Sequence, residues 1–255
     1  MAILSVQNLT LRFGGVVAVS NLSFAVEAGT IASVIGPNGA GKTSVFNMIT
    51  GFYQPSEGRI RLGDDDLVGR KPSEITRLGL ARTFQNLRLF PNLSVLDNVK
   101  SGMHSRTRQG VWGAIFRTGR QRQEERLITE TAEACIRFVG IEEYAGRAAK
   151  ALPYGAQRKL EIARALATQP KVLLLDEPAA GLNYEEKEQL IRLIGEIRDS
   201  LGITVLIIEH DMGLIKRISD KVTVLDYGRK IAEGKPDEVL RDPRVIEAYL
   251  GREEA

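Results

Sequence analysis

At 255 residues, with 43% hydrophobic and 26% charged residues, the chain has the composition of an ordinary globular protein with room for a large core, which excludes disorder as the default. Its 35 basic and 32 acidic residues leave a formal charge of +3, too small an imbalance for a basic stripe, so no nucleic-acid partner is expected. A single cysteine, Cys135, excludes an internal disulfide or a thiolate zinc cluster and points to a reducing compartment.

From Ile3 to Phe13, and again from Leu22 to Val26, apolar residues roughly alternate with polar ones, with Gly14-Gly15 between them as a turn signal. Two half-buried antiparallel strands are predicted there. The start, Met1-Ala-Ile-Leu-Ser, has neither a basic region nor a cleavable apolar segment, so the chain is expected to stay where it is made. Thr30 to Ile35 reads as a buried strand running into a Gly-rich turn and a helix from about Lys42 to Ile49. Gly58 to Leu62 reads as an edge strand before the acidic turn Asp64-Asp65-Asp66, and Leu80 to Phe84 as a further short strand.

Beyond Gln85 the pattern becomes helical, from about Asn86 to Leu160, with Ser94 as an N-cap and Gln123 to Val139 as a long amphipathic run. Strands return at Val172 to Leu175, Thr204 to Ile208 and Val222 to Leu225, with a helix from Tyr184 to Asp199 between the first two. That alternation implies a parallel sheet covered on both faces. The apolar strands fall far short of the ~18 to 20 residues needed to span a bilayer.

Two motifs carry chemistry. Gly36-Pro37-Asn38-Gly39-Ala40-Gly41-Lys42-Thr43 fits G-x-x-x-x-G-K-[ST] between a strand and a helix. Glycines let backbone N–H groups curl around phosphate, and the helix N-terminus adds a favourable dipole. Lys42 would neutralise the β- and γ-phosphates, and the Thr43 hydroxyl would ligate Mg²⁺. A Gly-rich turn before a helix is the bland alternative, but it gives Lys-Thr no structural necessity. The second motif is the apolar run Val172 to Leu175 ending in Asp176-Glu177. Successive residues at a strand end point to different sides, so Asp176 can hold the metal while Glu177 serves as base. Alone, an apolar run ending in Asp-Glu is common; beside the first motif it is informative.

The order of these motifs, with Gln85 between them and His210 after them, resembles the nucleotide-binding domain of ABC transporters over essentially the whole chain. That resemblance implies an α/β fold: a P-loop NTPase (RecA-like) core, residues 1–85 and 163–255, with an N-terminal antiparallel β subdomain and an inserted α-helical subdomain at 86–162. It implies Mg-dependent ATP hydrolysis, with ATP bound by the loop from Gly36 through Ser44 and adenine stacked on Phe13. A lone Phe otherwise reads as core. Gln85 in Arg82-Thr-Phe-Gln85 is similar to the glutamine that contacts Mg²⁺ or the attacking water. His210 in Ile207-Ile-Glu-His210-Asp is similar to the histidine that contacts the γ-phosphate. Either polar residue, taken alone, would pass as structural.

The family's signature, Leu-Ser-Gly-Gly-Gln, is altered here to Leu152-Pro153-Tyr154-Gly155-Ala156, followed by Gln157. In the resemblance these residues face nucleotide held by an opposite subunit, and Pro153 offers neither the usual hydroxyl nor an N–H. Gly155 keeps its N–H, and a helix beginning near Ala156 keeps its positive end. A weaker closed dimer is expected. Asn183 stands where many relatives carry Asp, and it also reads as an N-cap with Glu186 completing a capping box.

Arg82 to Pro91, Tyr154-Gly155 with Leu160 to Arg164, Ala179 to Asn183 and the ending Glu247 to Gly251 are similar to importer ATPases for branched-chain amino acids. The insertion His104 to Glu125, with Arg106, Arg108, Arg117, Arg120 and Arg122, fits the longer of the two ATPase subunits such systems carry; a solvated surface is its bland alternative. Partners implied by the resemblance are integral-membrane permease subunits, a second copy or a paralogous ATPase in a head-to-tail dimer, and indirectly a substrate-binding protein. Leu89 and Phe90 would meet a permease helix or, equally, belong to the core of the helical subdomain. The expected place is the cytoplasmic face of the inner (plasma) membrane, held peripherally. Related ATPases serve urea, amide or lipopolysaccharide transport, and soluble ABC ATPases form a rival class that usually joins two cassettes or carries long coiled coils.

Overall fold

The computed structural model describes residues 1–103 and 119–250, apart from the side chains of 119–122 and 124. Arg106, Arg108 and Arg117, the side chains of Arg120 and Arg122, and Gly251 lie outside the described residues. The chain divides into two compact units, one from Met1–Arg82 together with the chain from Lys171 onward, the other Thr83–Pro170.

In the first unit, β1 (Ala2–Phe13) and β2 (Val16–Glu27) form the expected antiparallel pair around Gly14-Gly15. Their sheet runs in the order β2-β1-β4-β5, with β4 at Glu57–Leu62 and β5 at Asp65–Asp66. This corrects the expectation of an edge strand at Gly58 to Leu62. That segment pairs on both sides, because part of the acidic turn folds back as β5 and takes the edge. Charged residues on a short outer strand suit that place.

The other sheet of this unit has the order β10-β9-β3-β8-β7-β6. Its members are β3 (Ile31–Ile35), β6 (Leu80–Arg82), β7 (Val172–Asp176), β8 (Thr204–Ile208), β9 (Lys221–Asp226) and β10 (Arg229–Gly234). All pairings from β9 to β6 are parallel, and β10 returns antiparallel. Every residue of β3, β7 and β8 is buried, which explains their near-continuous apolar sequences. Helices α1 (Lys42–Ile49), α2 (Pro72–Leu78), α6 (Tyr184–Leu201), α7 (Met212–Ile218), α8 (Pro236–Val239) and α9 (Pro243–Leu250) belong to this unit. Asn183 caps α6 as read from sequence: its Oδ1 accepts the Glu186 N–H and the Glu186 carboxylate accepts the Asn183 N–H, both at 3.0 Å.

The second unit holds α3 (Val95–Met103), α4 (Gly119–Phe138) and α5 (Tyr154–Leu166). Ser94 caps α3 by accepting the Asp97 N–H at 3.0 Å. A Cβ on Gly102 would stand 2.4 Å from the Arg164 carbonyl oxygen, so the close crossing of α3 and α5 requires glycine. The buried Asn98 amide accepts the Phe90 N–H and donates to the carbonyls of Phe90, Leu93 and Ser94, fixing the loop before α3. The units part at Arg82/Thr83 and Pro170/Lys171 rather than at 85/86 and 162/163. The latter expected boundary falls inside α5, which continues to Leu166. Among the described residues no helix is long and apolar enough to cross a membrane.

Candidate active site

Parallel strands end together, and the residues after β3, β7 and β8 therefore share one edge of the sheet in the first unit. In open α/β sheets that carboxyl edge is where ligands bind. The loop from Gly36 to Gly41 leaves β3 there and opens directly into α1, with Gly41 at its N-cap. Gly36 (φ 150) and Gly41 (φ 100) adopt backbone conformations that L side chains avoid. A Cβ on Gly36 would fall 2.1 Å from the Leu225 carbonyl oxygen, and one on Gly41 2.8 Å from that of Ala18. The β9–β10 turn completes the loop's support, since the Gly228 N–H donates to the Ala40 carbonyl at 3.0 Å.

Pro37 and Ala40 are buried, whereas Asn38, Gly39 and Thr43 face outward and Ser44 is half-buried. Lys42 is 7% exposed, and its Nζ donates to the carbonyls of Gly36 at 2.6 Å and Pro37 at 3.0 Å. The ammonium thus bridges the start of its own loop. Its charge sits where backbone carbonyls hold it, within the cradle the glycines make.

Asp176, the last residue of β7, meets Arg82 from the end of β6 at 2.7 Å. The same guanidinium donates to Asn47 Oδ1 at 2.8 Å and Thr50 Oγ1 at 3.1 Å, tying the acidic strand to α1. Next in sequence, Glu177 holds φ 47, an uncommon conformation for a non-glycine residue. Its N–H donates to the Ile208 carbonyl at 2.9 Å, joining the ends of β7 and β8. His210 follows β8 with its imidazole 62% exposed, and its Nδ1 stands 3.8 Å from Glu177 Oε2. The exposed ring and the 17%-exposed carboxylate are thus brought together. Asp211 caps α7 through the Leu214 N–H and is held below the usual carboxylate range by its hydrogen bond from Lys187 at 2.8 Å.

Phe13 ends β1 and is 49% exposed, more than a core residue would be. Tyr53, which sequence reasoning did not single out, meets it edge to face with ring centroids 5.3 Å apart and planes at 81°. Arg82 and Glu209 were also passed over as site residues. Their signal was charge at the very end of apolar strands, a position where a charged group is either partnered or functional.

Gln85 and the segment 152–157 belong to the second unit. Gln85 is exposed, and its carbonyl accepts from Arg158 Nη2 at 2.5 Å. Arg158 Nη1 donates to the Phe84 carbonyl at 2.9 Å, while Glu161 accepts the Phe84 N–H at 3.2 Å. The signature helix therefore grips the main chain of the Gln85 loop. Phe90 is 51% exposed, with the Arg164 guanidinium 5.9 Å from its ring centroid, and Leu89 is half-buried. Helix α5 begins at Tyr154, not near Ala156, because Pro153 already supplies the N-cap dihedrals, φ −55 and ψ 153. Gln157 N–H makes the bond back to the Pro153 carbonyl at 3.0 Å, so Gly155 and Ala156 lie in the first turn, whose N–H groups precede any intrahelical acceptor. Tyr154 Oη accepts from Arg158 Nη2 at 3.1 Å, and Gln157 Nε2 donates to the Leu152 carbonyl at 2.9 Å.

With this geometry in hand, the comparisons with known proteins are specific. Residues 19–180 match the family model described as ABC transporter, and residues 229–255 match one described as branched-chain amino acid ATP-binding cassette transporter. The high-affinity branched-chain amino acid transport ATP-binding protein BraF of Pseudomonas aeruginosa is 45% identical over 98% of both chains. The corresponding protein LivG of Escherichia coli K12 is 44% identical over the same shares. Among solved structures, an ATP-binding cassette of an ABC transporter in its ADP conformation superposes with a TM-score of 0.86 at 33% identity, covering 98% of this chain and 99% of that one. A nucleotide-free ATP-binding cassette follows with a TM-score of 0.85 at 32% identity and the same coverage.

Proposed function

The chain belongs to the ATP-binding cassette family of ABC transporters, and from that premise we propose that it hydrolyses ATP with Mg²⁺ to power import of branched-chain amino acids through integral-membrane permease subunits. It would lie peripherally on the cytoplasmic face of the inner membrane, where those subunits and, beyond them, a substrate-binding protein complete the system. The observation that carries this reading is the shared sheet edge at which the Gly36–Thr43 loop, Asp176, Glu177 and His210 follow neighbouring parallel strands.

The glycine cradle, in which a Cβ on Gly36 or Gly41 would strike backbone, suits the polyphosphate of ATP, as does the N-terminus of α1. Lys42 would exchange its loop carbonyls for the β- and γ-phosphate oxygens. Asn38 to Ser44 would supply N–H and hydroxyl donors, and Phe13, braced by Tyr53, would stack on adenine. Thr43 and Asp176 form a donor set too small for a closed metal site, which suits Mg²⁺, an ion that takes one or two protein oxygens and completes its shell with water and phosphate. Bound there, the metal neutralises charge on the transferring phosphoryl group. Glu177 polarises the attacking water, His210 orients it and contacts the γ-phosphate, and Gln85 senses the metal or the water.

The altered segment Pro153 to Gln157 would face nucleotide held by a second cassette, a copy of this chain or a paralogue, in a head-to-tail pair. Gly155 and the first turn of α5 retain donors for that contact, while Pro153 removes the hydroxyl. The test uses the purified chain with Glu177→Gln, which keeps the binding groups and removes the base. ATP hydrolysis should fall at least ~100-fold with ATP binding retained. Unchanged hydrolysis would reject Glu177 as base. Solution mass with and without Mg-ATP then reports pairing: a dimer supports self-association, and a nucleotide-bound monomer directs the search to a paralogous ATPase.

A further inference from the structure

Glu209 lies between the last residue of β8 and His210, and its side chain is 0% exposed. A carboxylate taken out of water must be met by hydrogen bonds or charge. Here the main chain supplies the bonds. Oε1 accepts the Ala179 N–H at 2.8 Å, and Oε2 accepts the His210 N–H at 3.0 Å with a longer contact to the Asp211 N–H at 3.4 Å. Ala179 lies two residues past Glu177, so one oxygen grips the loop of the base and the other the loop of the histidine. Oε2 also stands 3.8 Å from His210 Nδ1, the same separation as Glu177 Oε2 on that nitrogen.

We infer that Glu209 is a positioning residue for hydrolysis, locking the left-handed turn of Glu177 to the backbone of His210 so that base and histidine hold one relative geometry. A neutral side chain could fill the space but could not accept on both sides. Glutamine keeps one carbonyl oxygen, and its amide group sets a donor against an N–H donor in the other loop. The Glu177 N–H bond to the Ile208 carbonyl would remain. The distance of 3.8 Å between Glu177 and His210 would then be free to vary.

This inference rests on the roles given above to Glu177 and His210, and the experiment separates the two. Steady-state ATPase activity, ATP affinity and thermal melting are measured for the full chain as wild type, Glu209→Gln, His210→Ala and the double variant. Activity in wild type and its fall to a low but measurable rate in His210→Ala test the ATPase reading. For Glu209→Gln the expected result is a kcat lower by about tenfold or more, from loss of one charge-assisted bond, with KM and ATP affinity within about twofold. In the His210→Ala background the same change should cost less than about threefold, because the residues act together. Amide exchange at Ala179 and His210 should quicken in Glu209→Gln without nucleotide. An unchanged kcat, fully additive losses, or a fall in ATP affinity and melting temperature that matches the fall in kcat would overturn the inference while leaving the ATPase reading intact. An inactive wild type would overturn both.

Discussion

Each unit buries an arginine against a carboxylate. In the first, Arg82 meets Asp176 at 2.7 Å with side chains 5% and 4% exposed; in the second, Arg158 meets Glu161 at 3.3 Å with 4% and 2%. Chemistry and burial match, yet the guanidiniums point their donors differently. Arg82 reaches the side chains of Asn47, Thr50 and Asp176, so its charge goes to the C-terminal end of α1 and the end of β7. Arg158 makes its shorter bonds to the main-chain carbonyls of Gln85 and Phe84 and leaves Glu161 the longer one. Burial accordingly pushes the Glu161 carboxyl above its ordinary range despite the arginine beside it. A buried ion pair is thus two kinds of object. One ties a strand end to α1 through side chains, and the other clips a loop by its backbone, with the carboxylate as junior member.

The comparison can be broken most directly at Arg82. Arg82→Met strands the Asp176 carboxylate without its cation and removes donors from Asn47 and Thr50, so unfolding in urea should show a loss of about 3–5 kcal/mol. Adding Asp176→Asn should recover much of it, because the stranded charge is then gone. If the double variant is no more stable than the single one, the pair is not what Arg82 supports.

Arg158→Met should cost less, about 2–3 kcal/mol, since it chiefly leaves two carbonyls short of a donor. Its pH dependence reports on Glu161. Glu161 has a folded-state pKa raised above its unfolded value, so its contribution is fully present below the unfolded pKa and is lost as pH rises through the folded one. Removing Arg158 also removes an attraction that lowers that pKa, so the upward shift grows. The defect of Arg158→Met should therefore be smaller near pH 5 than near pH 8, as read from paired melts. A defect of equal size at the two pH values would mean that Arg158 does not act on the Glu161 charge.

Sequence pattern marked the first unit's candidate site, because backbone geometry there admits few residues. Gly36 and Gly41 must be glycine where a Cβ would strike carbonyl oxygens, and that constraint is what the motif encodes. The buried strands β3, β7 and β8 announced themselves by unbroken apolar runs. Contacts between distant segments left no such trace. Nothing local marks Tyr53 as the brace of Phe13, or Arg82 as the partner of Asp176 across 94 positions. The two-residue strand Asp65–Asp66 is polar, and tertiary pairing alone makes it a strand. Helix α2 was passed over although Pro72 opens it, Glu74 accepts the Lys71 N–H at 2.9 Å and Gly79 closes it, because seven residues give too short a period to detect.

Pro153 sharpens the contrast at the smallest cost to the fold. It occupies the N-cap of the helix that carries the Arg158 clip, and no side chain there bonds to the first turn. Serine at that place would add a cap of about 1 kcal/mol. It would also free the unfolded chain from a proline, a loss of about 0.4–1 kcal/mol. The two effects nearly cancel, so Pro153→Ser should leave the unfolding free energy within about 0.5 kcal/mol of its parent. What changes, on the proposed head-to-tail pairing, is the donor inventory facing a second cassette, where a hydroxyl bonded to phosphate is worth about 1.5–3 kcal/mol, or about tenfold or more in a dissociation constant. In the Glu177→Gln background, sedimentation with Mg-ATP should therefore show tighter self-association for Pro153→Ser at unchanged stability. If association is unaltered, the segment 152–157 does not meet nucleotide through that position, and the weakness assigned to its proline has another origin.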